Sequence, residues 1–153
     1  KSFFVVKGVG LSQKSKVNAF DAALINAGLE NVNLINVSSI IPPNAKEDKP
    51  HRLKDGDMVY TVLSRIDGLP GEDISAGLIW GWAESNLGKL GLVITAQQKN
   101  IDNRRLDTQL IDKINEMAKN RGMRLIEYKI EKISLNIPND YYGCAIVAFI
   151  YCF

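Results

Sequence analysis

The 153-residue chain is long enough for one hydrophobic core, and a single domain over 1–153 is expected. With 46% hydrophobic and 24% charged residues it falls among ordinary soluble globular proteins, away from disordered and low-complexity chains. The formal charge of +2 comes from interleaved acids and bases, with only the short pair Arg104–Arg105, so a nucleic-acid partner has little support.

No apolar run reaches the ~18 residues that span a bilayer, so no membrane association is expected. The opening KSFFVVKGVG has too short an apolar run for a secretory signal and no small-residue cleavage site. The first residue is Lys1 rather than Met, which suggests that a few residues precede it. Cys144 and Cys152 share one apolar run; on a strand they would lie ~26 Å apart, too far to bridge. Buried free thiols and a cytoplasmic location are the expectation.

Residues 2–8 (SFFVVKG) form a short apolar run ended by glycines, a predicted strand. A helix follows, capped by Ser12 or Ser15, with Val17, Phe20, Leu24 and Ala27 at helical spacing and Gly28 as its stop. Asp21 falls inside that stripe. Residues 31–37 are rich in β-branched side chains and predict a strand, with Pro42 and Pro43 closing off further pairing. Residues 44–57 read as a polar loop, 58–66 as a strand and 67–73 as a turn. Strands follow at 74–83 and 91–97, and the glycines of the first suggest close backbone packing or a bulge. The clearest helix is 105–122, with Leu106, Leu110, Ile114 and Met117 as its stripe and Gly122 as its stop. Residues 123–135 and 141–153 are strands, the last with so little alternation that burial on both faces is expected. Two helices with mostly antiparallel strands predict an α+β fold.

Four stretches could carry chemistry. GVGLSQKS (8–15) follows a strand and leads into a helix, but Gln13 stands where a phosphate loop needs glycine. His51 is the only histidine and lies in a charged loop, so neither a histidine-based triad nor a clustered Cys/His metal site is supported. Asp21 is either a helix-edge carboxylate in water or a buried anion awaiting a cation. Ser38 and Ser39 stand side by side before the double proline; most such pairs are turn or cap residues, and no GxSxG surrounds them.

The order N-A-F-D, N-V-N-L-I, S-S-I-I-P-P within 18–45 resembles the pyruvoyl-dependent arginine decarboxylase family around its self-cleavage site. The likeness continues through LPGEDISAG (69–77), EMAKNRG (116–122) and YYGCAIVAFIYCF (141–153). It implies a four-layer αββα sandwich with mostly antiparallel sheets, and a proenzyme cut between Ser38 and Ser39 into a β fragment (1–38) and an α fragment (39–153). The Ser39 hydroxyl would attack the Ser38 carbonyl in an N→O acyl shift. β-Elimination and hydrolysis would then leave residue 39 as a covalent pyruvoyl group. The resemblance further implies decarboxylation of arginine to agmatine through a Schiff base to that group, without PLP or a metal. Asn33 matches a residue implicated in processing, and Asp21 matches the acid near the bound guanidinium. A homotrimer or a hexamer of processed protomers, with sites between subunits, is implied as well.

One position departs from the family. Thr95 stands where a strand glutamate serves as proton donor, and a threonine hydroxyl is far too weak an acid to replace a carboxyl near neutral pH. Neither Glu84 nor Gln97 is in register to substitute. A catalytically silent or altered-specificity relative, acting as a ligand-binding or assembly subunit, is therefore the alternative expectation.

Overall fold

A computed structural model describes residues 1–100 and 103–153. Among these the chain order is β1 (Ser2–Ser12), α1 (Lys16–Ala27), β2 (Asn33–Asn36), β3 (Ile40–Ile41), β4 (Lys46–Glu47), β5 (Met58–Gly68), β6 (Asp73–Ser85), β7 (Gly88–Lys99), α2 (Asn103–Asn120), β8 (Arg124–Asn136) and β9 (Tyr142–Cys152). One sheet runs β2-β5-β9-β1-β4 and the other β3-β7-β6-β8. All pairings are antiparallel except the short edge pairs β1–β4 and β2–β5.

The pleat of β9 explains the layering. Alternate side chains point to opposite faces of a strand. Ala145, Val147, Phe149 and Tyr151 enter the core between the sheets, where they meet Phe3, Leu78 and Trp80. Cys144, Ile146, Ala148 and Ile150 point the other way, under α1. Both faces of β9 are buried, as its unbroken apolar run implies. On the second sheet α2 buries Leu106, Leu110, Ile114 and Ala118 against Ile79, Leu92 and Ala96. Each large aliphatic buried there contributes roughly 1.5–3 kcal/mol. The layers are thus helix, sheet, sheet, helix: the α+β sandwich expected.

Helix α1 begins where the Ser15 hydroxyl accepts the Asn18 amide (3.1 Å) and ends at left-handed Gly28 (φ 77°). Its buried face differs from the expected stripe. Ala19, Ala23 and Ala27 are buried, Phe20 and Leu24 pack at the margin, and Val17 is 74% exposed. The cause lies in β1, which runs on to Ser12 instead of stopping at its glycines. A Cβ on Gly8 would come 2.5 Å from the Ala23 carbonyl oxygen, and one on Gly10 would collide with the Ala19 carbonyl and the Ala23 amide. Glycines below and alanines above let the helix backbone lie directly on the strand. Asp21 consequently lies outside the buried stripe and is exposed.

Smaller differences have local causes. Strand β4 lies inside the expected loop 44–57, because its two residues need only backbone pairing with Ser2 and Phe3. The glycines of β6 behave as expected: a side chain at Gly81 would strike the Glu127 carbonyl, and the β6–β8 register shifts at Trp82/Ala83. The turn after β5 is tied by the Leu69 amide donating to the Glu72 carboxylate (2.6 Å), which holds that carboxyl below its ordinary range.

Candidate active site

The segment expected as one strand over 31–37 is confined to β2, and the chain then changes sheets. Asn33–Asn36 pairs with Met58–Thr61 at the edge of the first sheet, and the Val37 amide continues that ladder to the Thr61 carbonyl (2.9 Å). Ile40 and Ile41 pair with Leu92 and Gly91 at the edge of the second sheet, and the Val93 amide donates to the Ser39 carbonyl (2.8 Å). The crossing is made by residues 37 to 39 alone. Among the described residues neither the amide nor the carbonyl of Ser38 has a backbone partner, so the peptide between the serines hangs between two hydrogen-bonded anchors. Ser38 is exposed, and Ser39 is half-buried in a bend.

A third anchor sits just downstream. The Tyr151 hydroxyl donates to the Ile40 carbonyl (2.9 Å). Burial pushes this phenol up to about 12, so it remains a donor through neutral and mildly alkaline pH. Beside Ser38 lies a cavity of about 290 Å³, walled by Val37, Ser38, Ile40 and Pro42; Ser39 is not among its lining residues. Tyr60, Tyr151 and Phe153 close it from the first sheet, and among the described residues no carboxylate or cation lines it.

The inner face of β7 faces this region. Val93 belongs to the core between the sheets, whereas Leu92, Ile94 and Ala96 face α2. Thr95, two residues beyond Val93, therefore points inward and is half-buried. Ser39 stands opposite Val93 through its hydrogen bond, which makes Thr95 its diagonal neighbour, about 7–8 Å away between backbones. Gln97, next on that face, donates to Ser64 Oγ (2.9 Å), and Ser64 donates to the Ala96 carbonyl (3.1 Å), a partly buried polar bridge between the sheets. The Thr95 carbonyl accepts Lys113 Nζ of α2 (3.0 Å).

A family model described as pyruvoyl-dependent arginine decarboxylase matches residues 2–153. The chain belongs to the pyruvoyl-dependent arginine decarboxylase family. A protein of that name from Methanopyrus kandleri is 32% identical over 152 residues, covering 99% of this chain and 96% of its own. One from Methanocaldococcus jannaschii is 35% identical over 140 residues, covering 88% and 80%. One from Methanothermobacter thermautotrophicus is 32% identical over 138 residues, covering 90% and 87%.

Within one copy of this decarboxylase-family chain the expected site residues are only partly gathered. Ser38 and Ser39 lie at the crossing from β2 to β3, and Thr95 lies on the adjoining β7, diagonal to Ser39. Asn33 begins β2, roughly 13 Å up an extended strand from Val37, and its side-chain amide donates to the Gly56 carbonyl (3.3 Å). Asp21 is on α1, on the outer face of the first sheet, next to Phe20, whose ring carries the Arg65 guanidinium at 3.6 Å. Glu84 lies at the far end of β6, near Arg124 (3.7 Å), and Gln97 is engaged with Ser64. Sequence reasoning missed Tyr60, Ser64 and Tyr151. Ser64 had a signal, a polar residue in step with the inward-facing Val62 and Ile66; the tyrosines had none without the strand register.

Proposed function

We propose that this chain is a self-processing pyruvoyl-dependent amino-acid decarboxylase acting on arginine. The observation that carries the reading is the serine pair strung between the anchored edges of two sheets. In processing, Ser39 Oγ adds to the Ser38 carbonyl carbon as the Ser38–Ser39 C–N bond breaks, giving an ester and a free amine. Loss of the Ser39 α-proton and cleavage of its Cβ–O bond release a Ser38 carboxylate and leave dehydroalanine. Uptake of water and loss of ammonia convert residue 39 to the pyruvoyl group. Anchors on both sides favour this by holding the reacting atoms near one another. The 1–38 fragment has reason to stay in place: β1 pairs with β9 from Ser2↔Cys152 to Ser12↔Tyr142, and α1 lies across both strands.

The surroundings of residue 39 fit the pyruvoyl group: its carbonyl is held by Val93 N–H, and its chain neighbours Ser38 and Ile40 line a cavity. When formed, the group supplies an electron-withdrawing ketone for the electron pair left as CO2 departs. The chain's own residues bind and orient. Asp21, exposed on α1, offers a carboxylate for a guanidinium, and the new Ser38 terminus adds negative charge. Because Asp21 and Asn33 both lie away from Ser39 within one copy, a homotrimer or hexamer with sites between neighbours accounts for their roles.

Thr95 favours a second reading, a silent or altered relative. Its hydroxyl cannot act as a carboxyl acid, and among the described residues no carboxylate lines the cavity. Denaturing mass spectrometry separates the outcomes. The wild-type chain is expected as two fragments, and Ser39→Ala as one; two fragments from Ser39→Ala would overturn the site. CO2 release from arginine by the cleaved protein then decides activity, and Thr95→Glu is expected to raise it. Cleavage without CO2 release in either protein selects the silent relative.

A further inference from the structure

At the edge opposite the serine pair the sandwich is closed by charge. Along the inner face of β8, Glu131 meets Lys7 of β1 (2.6 Å) and Lys129 meets Glu47 of β4 (3.0 Å). Glu127 is the next inward residue, opposite Trp82, and its carboxylate has no ion pair or hydrogen bond among the described residues. It opens onto a groove of about 360 Å³ floored by Phe3, Trp80 and Trp82, the chain's two tryptophans among them. Tyr128 forms part of the wall. Trp82 already carries one cation, the Lys89 ammonium 5.6 Å from its ring centre.

We propose that this groove binds a small organic cation, an amine or guanidinium on a short carbon chain. Its charge meets Glu127 and the face of Trp82, and its carbons lie along Trp80 and Phe3. A partly desolvated cation is attracted to an aromatic face, and a carboxylate adds a charge-assisted hydrogen bond. The volume lies within the roughly 300–1,000 Å³ of small-molecule sites. The cation would also complete the ladder of charge pairs that Glu127 leaves unfinished. Lys46 at the rim, with no ion pair among the described residues, can meet a ligand carboxylate, so the shared guanidinium could come with a carboxylate, as in arginine, or without one, as in agmatine. The choice of these two rests on the proposed decarboxylase reading; the groove does not, and it lies across the molecule from Ser39.

Both tryptophans line the groove, so intrinsic fluorescence reports on it directly. Ser39→Ala protein, which forms no pyruvoyl group, is titrated with agmatine, arginine and neutral n-butylurea. A saturable change is expected with the cations and none with the urea. Glu127→Gln in the same background is expected to weaken binding on the order of tenfold with an unchanged melting temperature. Tighter binding of arginine than agmatine, lost in Lys46→Gln, would identify the amino acid as occupant; the reverse order identifies the amine. The proposal fails if no saturable change occurs, if Glu127→Gln binds equally well, or if the groove is covered by a second copy, seen as a concentration-dependent spectrum without ligand. Decarboxylation is decided separately by CO2 release, which none of these failures would alter.

Discussion

Replacing Tyr151 by Phe removes one oxygen and nothing else at the site. The hydroxyl donates to the Ile40 carbonyl at 2.9 Å, and the ring packs against Phe149 (5.1 Å) and Phe153 (5.3 Å), contacts that phenylalanine keeps. A neutral hydrogen bond contributes about 0.5–1.5 kcal/mol net, and a carbonyl left dry would cost roughly 1–3 kcal/mol. Ile40 is 39% exposed beside an open cavity, so water can reach its carbonyl and the lower range applies, about 1 kcal/mol. If this anchor holds Ser39 against Ser38, the same energy is lost from the attack geometry and cleavage slows about fivefold. The assay is a time course of intact and cut chain by denaturing mass spectrometry. Melting is measured separately in the Ser39→Ala background, where a fall of about 2–4 °C is expected. Alkaline behaviour gives an independent check. The folded phenol is raised from its ordinary 10.0 to about 12 by burial. Its contribution is complete below pH 10 and is lost as pH rises through 12; Tyr151→Phe should remove that slope. A variant that melts lower yet cleaves at the wild-type rate would refute the coupling between this anchor and the serine pair.

Two further outcomes follow from packing. Gly10→Ala places a methyl well under 3.0 Å from backbone atoms of Ala19 and Ala23, which cannot swing aside, so α1 must lift from β1. A loss of about 3 kcal/mol in urea unfolding of Ser39→Ala protein is expected, the upper range for overpacking, and a loss below about 1 kcal/mol would contradict the seating of the helix. Cys144 is buried, and burial, reinforced by the Asp67 carboxylate, pushes its thiol up from 9.0 to about 12, whereas Cys152 is half-buried. Iodoacetamide at pH 8 should label Cys152 first and Cys144 only on unfolding, and the stability owed to the protonated Cys144 should disappear as pH climbs from 9 through 12. Equal labelling rates would contradict that burial.

What the sequence made legible is what repeats locally. The α2 stripe, a cap at Ser12 or Ser15 (the structure uses Ser15) and the Gly28 stop are read from spacing, and the both-face burial of β9 from the absence of alternation. The α1 face was not legible because its seat is made elsewhere in the chain. Val17 looks like core until Gly8 and Gly10 are known to lie beneath Ala19, Ala23 and Ala27. Strand β4 was hidden because Lys46 and Glu47 pair through backbone alone. At the candidate site the serine pair and Thr95 could be named from order and resemblance. Their neighbours Tyr60 and Tyr151 enter through the registers of β5 and β9, which no local pattern encodes.

The sheet crossing gives a physical reason for the proposed self-cleaving bond between residues 38 and 39. A peptide cut inside a ladder would leave its new ends competing with strand pairing, and the reacting atoms would be held in extended, unreactive geometry. Here the upstream end stays fixed through Val37 to Thr61, and the downstream end through Ser39 to Val93 and Ile40 to Tyr151. Scission there would therefore break no strand pairing and leave both sheets with their hydrogen bonds intact. The ends emerge on edge strands, the one place in a sandwich where a new functional group can meet both a cavity and a neighbouring copy. The anchors then matter more than the serines' immediate surroundings: moving the Ser-Ser pair one residue in either direction should abolish cleavage, although both hydroxyls remain.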